Sequence, residues 1–281
     1  MSKIILFGNG LGSIECVKIL QKDASIDKLL VVTHSKGKAH YWHESLWEYC
    51  INQNIPVIKP THVTDLYDKF KSFGPNIIFS AYYDQILSSQ ILCLAKHAIN
   101  FHPSLLPKYK GTAPLIWAIV KGEIETGITA HEMVSKVDSG KICGVLKIKI
   151  ANDDTGFDLY KKAVKATGII FQNTYKKIQS NALVYHQQTG KSSYFSNSTP
   201  RVNKLDPLNQ TSKEIYNIVR ALSSPLPMAY IIYKGEKVFI DKVACVDNID
   251  INMFTDKILI EYKNNYYIKT KDGVLNILKM G

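Results

Sequence analysis

Arginine is almost missing from this chain: Arg201 and Arg220 are the only two among 35 basic residues, set against 24 acidic ones in 281 positions. The net charge of +11 would attract an anionic partner, yet bidentate phosphate recognition favours the guanidinium fork, which lysine lacks. The excess is also dispersed, because residues 201–281 hold 12 basic and 9 acidic side chains, so no basic arm is present and nucleic acid is not expected as a partner. Cysteine is scarce and odd in number. Cys16, Cys50, Cys93, Cys143 and Cys245 have no paired spacing for zinc or for a disulfide framework, and none lies beside a His or a glycine-rich turn that would activate a thiol. The eight histidines include His34, His97 and His131, which read as structural or surface residues without ligand spacing, so no metal is expected. No run of about 18 apolar residues occurs, which excludes a membrane helix, and the strand-like start at Lys3–Phe7 shows no cleavable leader. A cytoplasmic location is therefore expected.

What is present is enough apolar material, 46% of residues, for a sizeable core with a small appended unit. Ile- and Val-rich runs alternate with amphipathic stretches over the first 150 residues, the pattern of strand–helix units around a parallel sheet. Strands are expected at Lys3–Phe7, Leu29–Thr33, Val57–Ile58, Asn76–Phe79 and Ala98–Phe101. Helices are expected near 12–22, 40–53, 63–73, 88–96 and 112–121, with a longer one after Gly156. This is a doubly wound α/β domain, which binds ligands at the carboxyl ends of its strands.

A polar stretch from Gln187 to Asn203 reads as a connector. It divides the chain into residues 1–187, a linker at 188–204 and a small β-rich domain at 205–281. Thr211–Glu214 has capping-box spacing ahead of Ile215, Ile218, Val219 and Leu222, so a helix should start there. Alternating strands follow near Ala229–Tyr233, Val238–Val246, Lys257–Tyr262, Tyr266–Thr270 and Val274–Leu278, punctuated by Lys234-Gly235, Asn264-Asn265 and Asp272-Gly273.

Gly8-Asn9-Gly10-Leu11-Gly12 follows the first strand and opens a helix, where amide donors can receive a phosphate. Ser13 stands where a third glycine of a dinucleotide fingerprint is needed, and no acidic residue closes the second strand, so no dinucleotide site is expected. A tight turn that merely needs glycine would give the same residues. The informative segment runs from Asn100 to Pro114. Asn100 and His102 lie two apart at a strand end, so both side chains point to one face and can meet one reacting carbon, and Pro103 and Pro107 stiffen the exit. Further on, Asp138 offers a carboxylate in the turn Val137-Asp138-Ser139-Gly140.

The Asn-x-His-Pro-x-Leu-Leu-Pro motif and the Val-Asp-Ser-Gly turn together resemble the folate-dependent formyltransferases, over about the first 180 residues. The resemblance implies a Rossmann-like formyltransferase domain and makes Asn100, His102 and Asp138 the catalytic groups. It also makes 10-formyl-tetrahydrofolate the formyl donor, held by Asp84, Gln85, Ile86, Thr112, Val134, Ser135, Lys136 and Val137. Thr112 stands where some relatives have Arg. Asn100 would donate a hydrogen bond to the developing oxyanion and His102 would shuttle protons. Asp138 would orient the ring and favour its protonated form.

Three branches of the family differ in acceptor. The β-rich unit counts against a glycinamide-ribonucleotide enzyme. The short Thr33–Ala39 segment counts against a methionyl-tRNA formyltransferase, which remains the alternative. Phe79–Leu87, Tyr194–Phe195 through Pro200-Arg201, and Tyr216–Ala221 are similar to enzymes acting on nucleotide-linked amino sugars, the first of them to those that formylate a 4-amino group. A dTDP-4-amino-4,6-dideoxyhexose bound for surface polysaccharide such as O-antigen is thus the expected substrate type. Asn9, Gly10, Gly12, Tyr82, Lys108 and Tyr109 are its expected contacts, and a homodimer is the expected assembly. A non-catalytic nucleotide-binding module on the same fold is the reading from another class.

Overall fold

The computed structural model describes residues 2–34, 44–196, 202–246 and 258–281. In chain order the first elements are β1 (Ser2–Gly8), α1 (Gly10–Leu20), β2 (Ile26–Val32), α2 (Leu46–Asn52), β3 (Val57–Ile58), α3 (Tyr67–Phe73), β4 (Ile77–Ala81), α4 (Ser89–Leu92) and β5 (His97–His102). Next come β6 (Lys110–Gly111), α5 (Pro114–Val120), β7 (Glu125–Glu132), β8 (Ile142–Lys149), α6 (Gly156–Gln179) and β9 (Tyr194–Phe195). The last are α7 (Ser212–Ala221), β10 (Ala229–Tyr233), β11 (Glu236–Cys245), β12 (Leu259–Tyr262), β13 (Asn265–Lys269) and β14 (Val274–Met280). Among the described residues no helix is long and apolar enough to cross a membrane.

Two compact units emerge. The first comprises Met1–Gly111, Gly127–Ile148 and Lys162–Tyr194, and the second Thr112–Thr126, Lys149–Lys161 and Phe195–Gly281. Two stretches that precede the connector in sequence are thus grouped with the C-terminal residues.

The first unit is built on a seven-stranded sheet of order β3-β2-β1-β4-β5-β7-β8. The β2, β1, β4 and β5 ladders are parallel. Their residues form unbroken apolar runs because both faces are covered: Ile4, Ile5, Leu6, Phe7, Ile78 and Phe79 are fully buried, as an α/β sheet requires. On one face Phe171 of α6 meets Phe79 and Phe101, with ring centroids 4.7 and 5.1 Å apart. On the other, Phe7 meets Phe70 of α3 edge-on at 5.5 Å. The expected Rossmann-like arrangement is present.

Several local expectations differ. Helix 12–22 begins earlier, at Gly10, because Oδ1 of Asn9 caps it by accepting from the Gly10 N–H at 3.0 Å. Helix 88–96 is only Ser89–Leu92, and helix 40–53 is Leu46–Asn52, with residues 40–43 outside the described residues. The strands β7 and β8 were not expected at all. Strand β7 runs antiparallel to β5, pairing Asn100 with His131 and His102 with Thr129.

The second unit carries an antiparallel sheet of order β10-β11-β14-β13-β12. Helix α7 starts in a complete capping box, Thr211 with Glu214, and buries Ile215, Ile218 and Val219 against Ile231, Ile240, Ile268 and Leu275. The β12–β13 turn is made by Lys263 and Asn264, with φ of +49° and +60°, rather than by Asn264-Asn265. The expected strand residue Lys257 and the segments at 35–39 and 200–201 lie outside the described residues.

Candidate active site

Strand β5 ends at the carboxyl edge of the sheet, where strand alternation turns Asn100 and His102 to one face. His102 is 4% exposed and Asp138 9%, so both ionise in a site largely shielded from water. Oδ2 of Asp138 lies 3.4 Å from Nδ1 of His102, and Oδ1 accepts from Nδ2 of Asn100 at 3.4 Å. The Gly111 N–H donates to Oδ2 at 2.8 Å. The three groups expected from sequence to act together thus converge, although 36 and 38 positions separate the carboxylate from the other two.

The turn that supplies Asp138 is tight. Asp138 has a φ of +49°, a left-handed conformation disfavoured for a residue with a Cβ. Gly140 follows because a Cβ there would lie 1.9 Å from the Glu132 carbonyl oxygen. Ser139 N–H closes the turn on the Lys136 carbonyl at 3.2 Å.

The second ring nitrogen of His102 is occupied as well. Nε2 is 2.8 Å from the Tyr109 carbonyl oxygen, which can only accept, so Nε2 carries a proton and Nδ1 of the neutral ring faces Asp138. Burial lowers the imidazole below its ordinary value; Asp138 and the Tyr109 carbonyl pull upward, and burial prevails. Asp138 thus favours the protonated ring, the sign expected of a neighbouring carboxylate, but lost solvation outweighs it. For Asp138 the balance is reversed. Burial favours its neutral acid, but His131, the His102 ring and the Gly111 N–H outweigh it and hold the carboxyl at about 2.

His131, read from sequence as structural or surface, belongs to this cluster. It is 2% exposed. Its Nδ1 donates to the Glu132 carbonyl at 2.8 Å, which in the neutral ring leaves Nε2 to accept from Nδ2 of Asn100 at 3.2 Å; the same Nε2 lies 3.4 Å from Oδ1 of Asp138, to which it donates in the cationic ring. Tracing β7 as a strand antiparallel to β5 would have found it, since the pairing sets it opposite Asn100.

The remaining expected residues are distributed as follows. Asp84 is exposed and pairs with His34, Oδ1 to Nδ1 at 2.6 Å; Gln85 turns inward, Oε1 accepting from the Val63 N–H at 2.8 Å; and Ile86 is 69% exposed. Val134, Ser135 and Lys136 are exposed on the turn before Val137 and Asp138. Gly12 lies under the Tyr82 ring, which a Cβ would strike at 2.1 Å, and Tyr82 reaches Thr167 through its hydroxyl at 3.1 Å. Lys108 is exposed, whereas the Tyr109 side chain is buried. Thr112 belongs to the second unit, where its N–H and hydroxyl both donate to the Phe195 carbonyl, at 2.7 and 3.2 Å. Sequence reasoning also missed the Gly111 N–H and the Tyr109 carbonyl, because backbone groups carry no residue signature.

Comparisons with known proteins place the whole chain in a family. Residues 4–174 match the formyl transferase family and residues 198–281 its C-terminal domain. The bifunctional polymyxin resistance protein ArnA of Wigglesworthia glossinidia brevipalpis is 38% identical over 220 residues, 76% of this chain. The match covers 34% of that protein, so the chain spans about a third of its length. Two solved structures share the whole fold. An N-formyltransferase from Helicobacter canadensis, in complex with folinic acid and dTDP-3-aminofucose, superposes with a TM-score of 0.80 at 24% identity, covering 100% of both chains. WlaRD, a sugar 3N-formyl transferase in the presence of dTDP and 5-N-formyl-THF, gives 0.78 at 26% identity, covering 100% of this chain and 98% of that one. From the strand-end Asn and His, the Asp turn and the match of both domains, the chain belongs to the formyl transferase family.

Proposed function

We propose that the chain transfers a formyl group from 10-formyl-tetrahydrofolate to the amine of a nucleotide-linked amino-deoxy sugar, for use in surface polysaccharide. The observation that carries this reading is the meeting of Asn100, His102 and Asp138 at the end of β5. An amide donor, a neutral imidazole and a carboxylate held ionised form a set suited to acyl transfer, and no redox group is needed. Asp84, Gln85 and Ile86 with the turn Val134–Val137 are the residues that would hold the folate, partly through backbone groups. Bound there, it supplies a formyl carbon whose bond to the donor nitrogen is exchanged for one to the amine, with one proton passing the other way.

The chain's own groups would do the rest. Nδ2 of Asn100 donates to the carbonyl oxygen on which negative charge develops, exchanging the longer of its two contacts, the 3.4 Å one to Asp138. His102 holds one proton at Nε2 against Tyr109 and accepts the amine's proton at Nδ1, where Asp138 Oδ2 at 3.4 Å stabilises the imidazolium that results. The sugar acceptor is supported by the similarity of the full chain to an N-formyltransferase described with dTDP-3-aminofucose and to a sugar 3N-formyl transferase described with dTDP.

The test is a mass-detected assay with 10-formyl-tetrahydrofolate and a panel of dTDP- and UDP-linked 3-amino and 4-amino sugars, with methionyl-tRNA as a separate arm. Formylation of a sugar amine supports the reading and identifies the position. Formylation of the tRNA alone would replace the acceptor, and folate binding without any turnover would leave a binding module.

A further inference from the structure

The polar stretch that looks like a mere connector grips the backbone on both sides of the His102–Asp138 pair. His186 and Ile142 exchange two backbone hydrogen bonds of 2.8 Å, an isolated antiparallel bridge whose continuation brings Gln188 opposite Gly140. There Nε2 of Gln188 donates to the carbonyl oxygens of Asp138 and Gly140, each at 2.8 Å. Both amide hydrogens are committed, and turning the amide over would set Oε1 against two carbonyl oxygens, so its orientation is fixed. Further along, Ser193 accepts the Tyr109 N–H on its hydroxyl at 2.8 Å. It also accepts the Lys110 N–H on its carbonyl at 2.9 Å and donates its own N–H to Pro107 at 3.3 Å.

Both points gripped are conformationally disfavoured. Asp138 and Tyr109 both have left-handed backbones, with φ of +49° and +58°. Such conformations are disfavoured outside glycine and persist only where neighbours over-determine them. Asp138 carries the carboxylate, and Tyr109 carries the carbonyl that takes the Nε2 proton of His102. We propose that Gln188 and Ser193 are positioning residues: Gln188 acts through the Asp138–Gly140 turn and Ser193 through the Tyr109 carbonyl, so that the connector sets how His102 faces Asp138. The importance of this for turnover rests on the catalytic roles proposed above; the geometry itself does not.

The experiment compares wild type with Gln188→Ala, Gln188→Glu and Ser193→Ala. Two readouts are used: the imidazole nitrogen NMR signals of His102 in the ligand-free protein across pH, and the separate kcat and KM for the preferred amine. Besides Asp138, the titratable groups acting on this ring are His131 and Lys110. In Gln188→Ala the His102 signals shift and kcat falls by about 10- to 100-fold with KM little changed. Gln188→Glu, which sets a carboxylate against two carbonyls, falls further. Ser193→Ala raises the population protonated at Nδ1 in place of Nε2. If Gln188→Ala does not fold, Gln188→Asn, with the same donors on a shorter stem, reads the same shift. Unchanged His102 signals and kcat in folded variants would overturn the proposal, even if their melting temperatures drop. Should wild type formylate no amine, the proposed function fails, while the ligand-free imidazole signals still decide whether the connector positions His102.

Discussion

Asn100 and His131 face each other across the β5–β7 pairing and share a hydrogen bond, Nδ2 to Nε2, of 3.2 Å. The bond aims the amide, because His131 is itself locked by the Glu132 carbonyl at its other nitrogen. Replacing Asn100 by Ala should therefore lower kcat by about 10²- to 10³-fold, the usual cost of an oxyanion donor. His131→Ala should also lower kcat and, by leaving buried polar groups unpaired, cost about 1–3 kcal/mol of stability. Steady-state kinetics and urea unfolding of the two variants check this.

His102→Ala should fold and lose about 10²- to 10⁴-fold in turnover, the range for a general acid–base group. Single-turnover rates at saturating substrate give the answer, and wild-type rates would remove its role.

Acid should destabilise the protein in two steps. His102 titrates below its ordinary 6.5 in the fold because it is buried. Its contribution is thus fully present above the unfolded value and is lost as pH falls from about 6.5 through the folded value. Asp138, held at about 2 against an ordinary 3.8, contributes on the order of 2 kcal/mol that disappears as pH falls from about 4 through 2. Urea unfolding across pH should show both losses in wild type, and only the upper one in Asp138→Asn.

Gly140→Ala places a methyl carbon 1.9 Å from the Glu132 carbonyl oxygen. The backbone must move, at a cost of about 1–3 kcal/mol, and the Asp138 carboxylate moves with it. Lower kcat together with a lower urea midpoint is expected.

Much of this architecture can be read from the residues. Fully buried strands such as β1 announce themselves as apolar runs, and Thr211 with Glu214 marks the start of α7. Asn100 and His102 are legible because strand alternation and the prolines after them constrain both at once. Strand β7 was hidden since its two faces are both buried and carry Thr126 on one and Thr129 and His131 on the other, polar groups that interrupt an apolar pattern. The Thr129 hydroxyl is satisfied within the fold by donating to the Ser104 carbonyl at 2.6 Å, a partner no periodicity reveals. Gln188 was illegible for a related reason, because its partners are carbonyls, which every residue possesses.

The β5–β7 pairing restricts how relatives of this chain can change length. One extra residue inside either strand would invert its side chains, carrying Asn100 or His131 to the opposite surface of the sheet. The 22 positions between His102 and Glu125 include stretches outside any strand or helix, where additions need not disturb that alignment. Length variation among active homologues should therefore gather in such stretches and leave these two strands untouched.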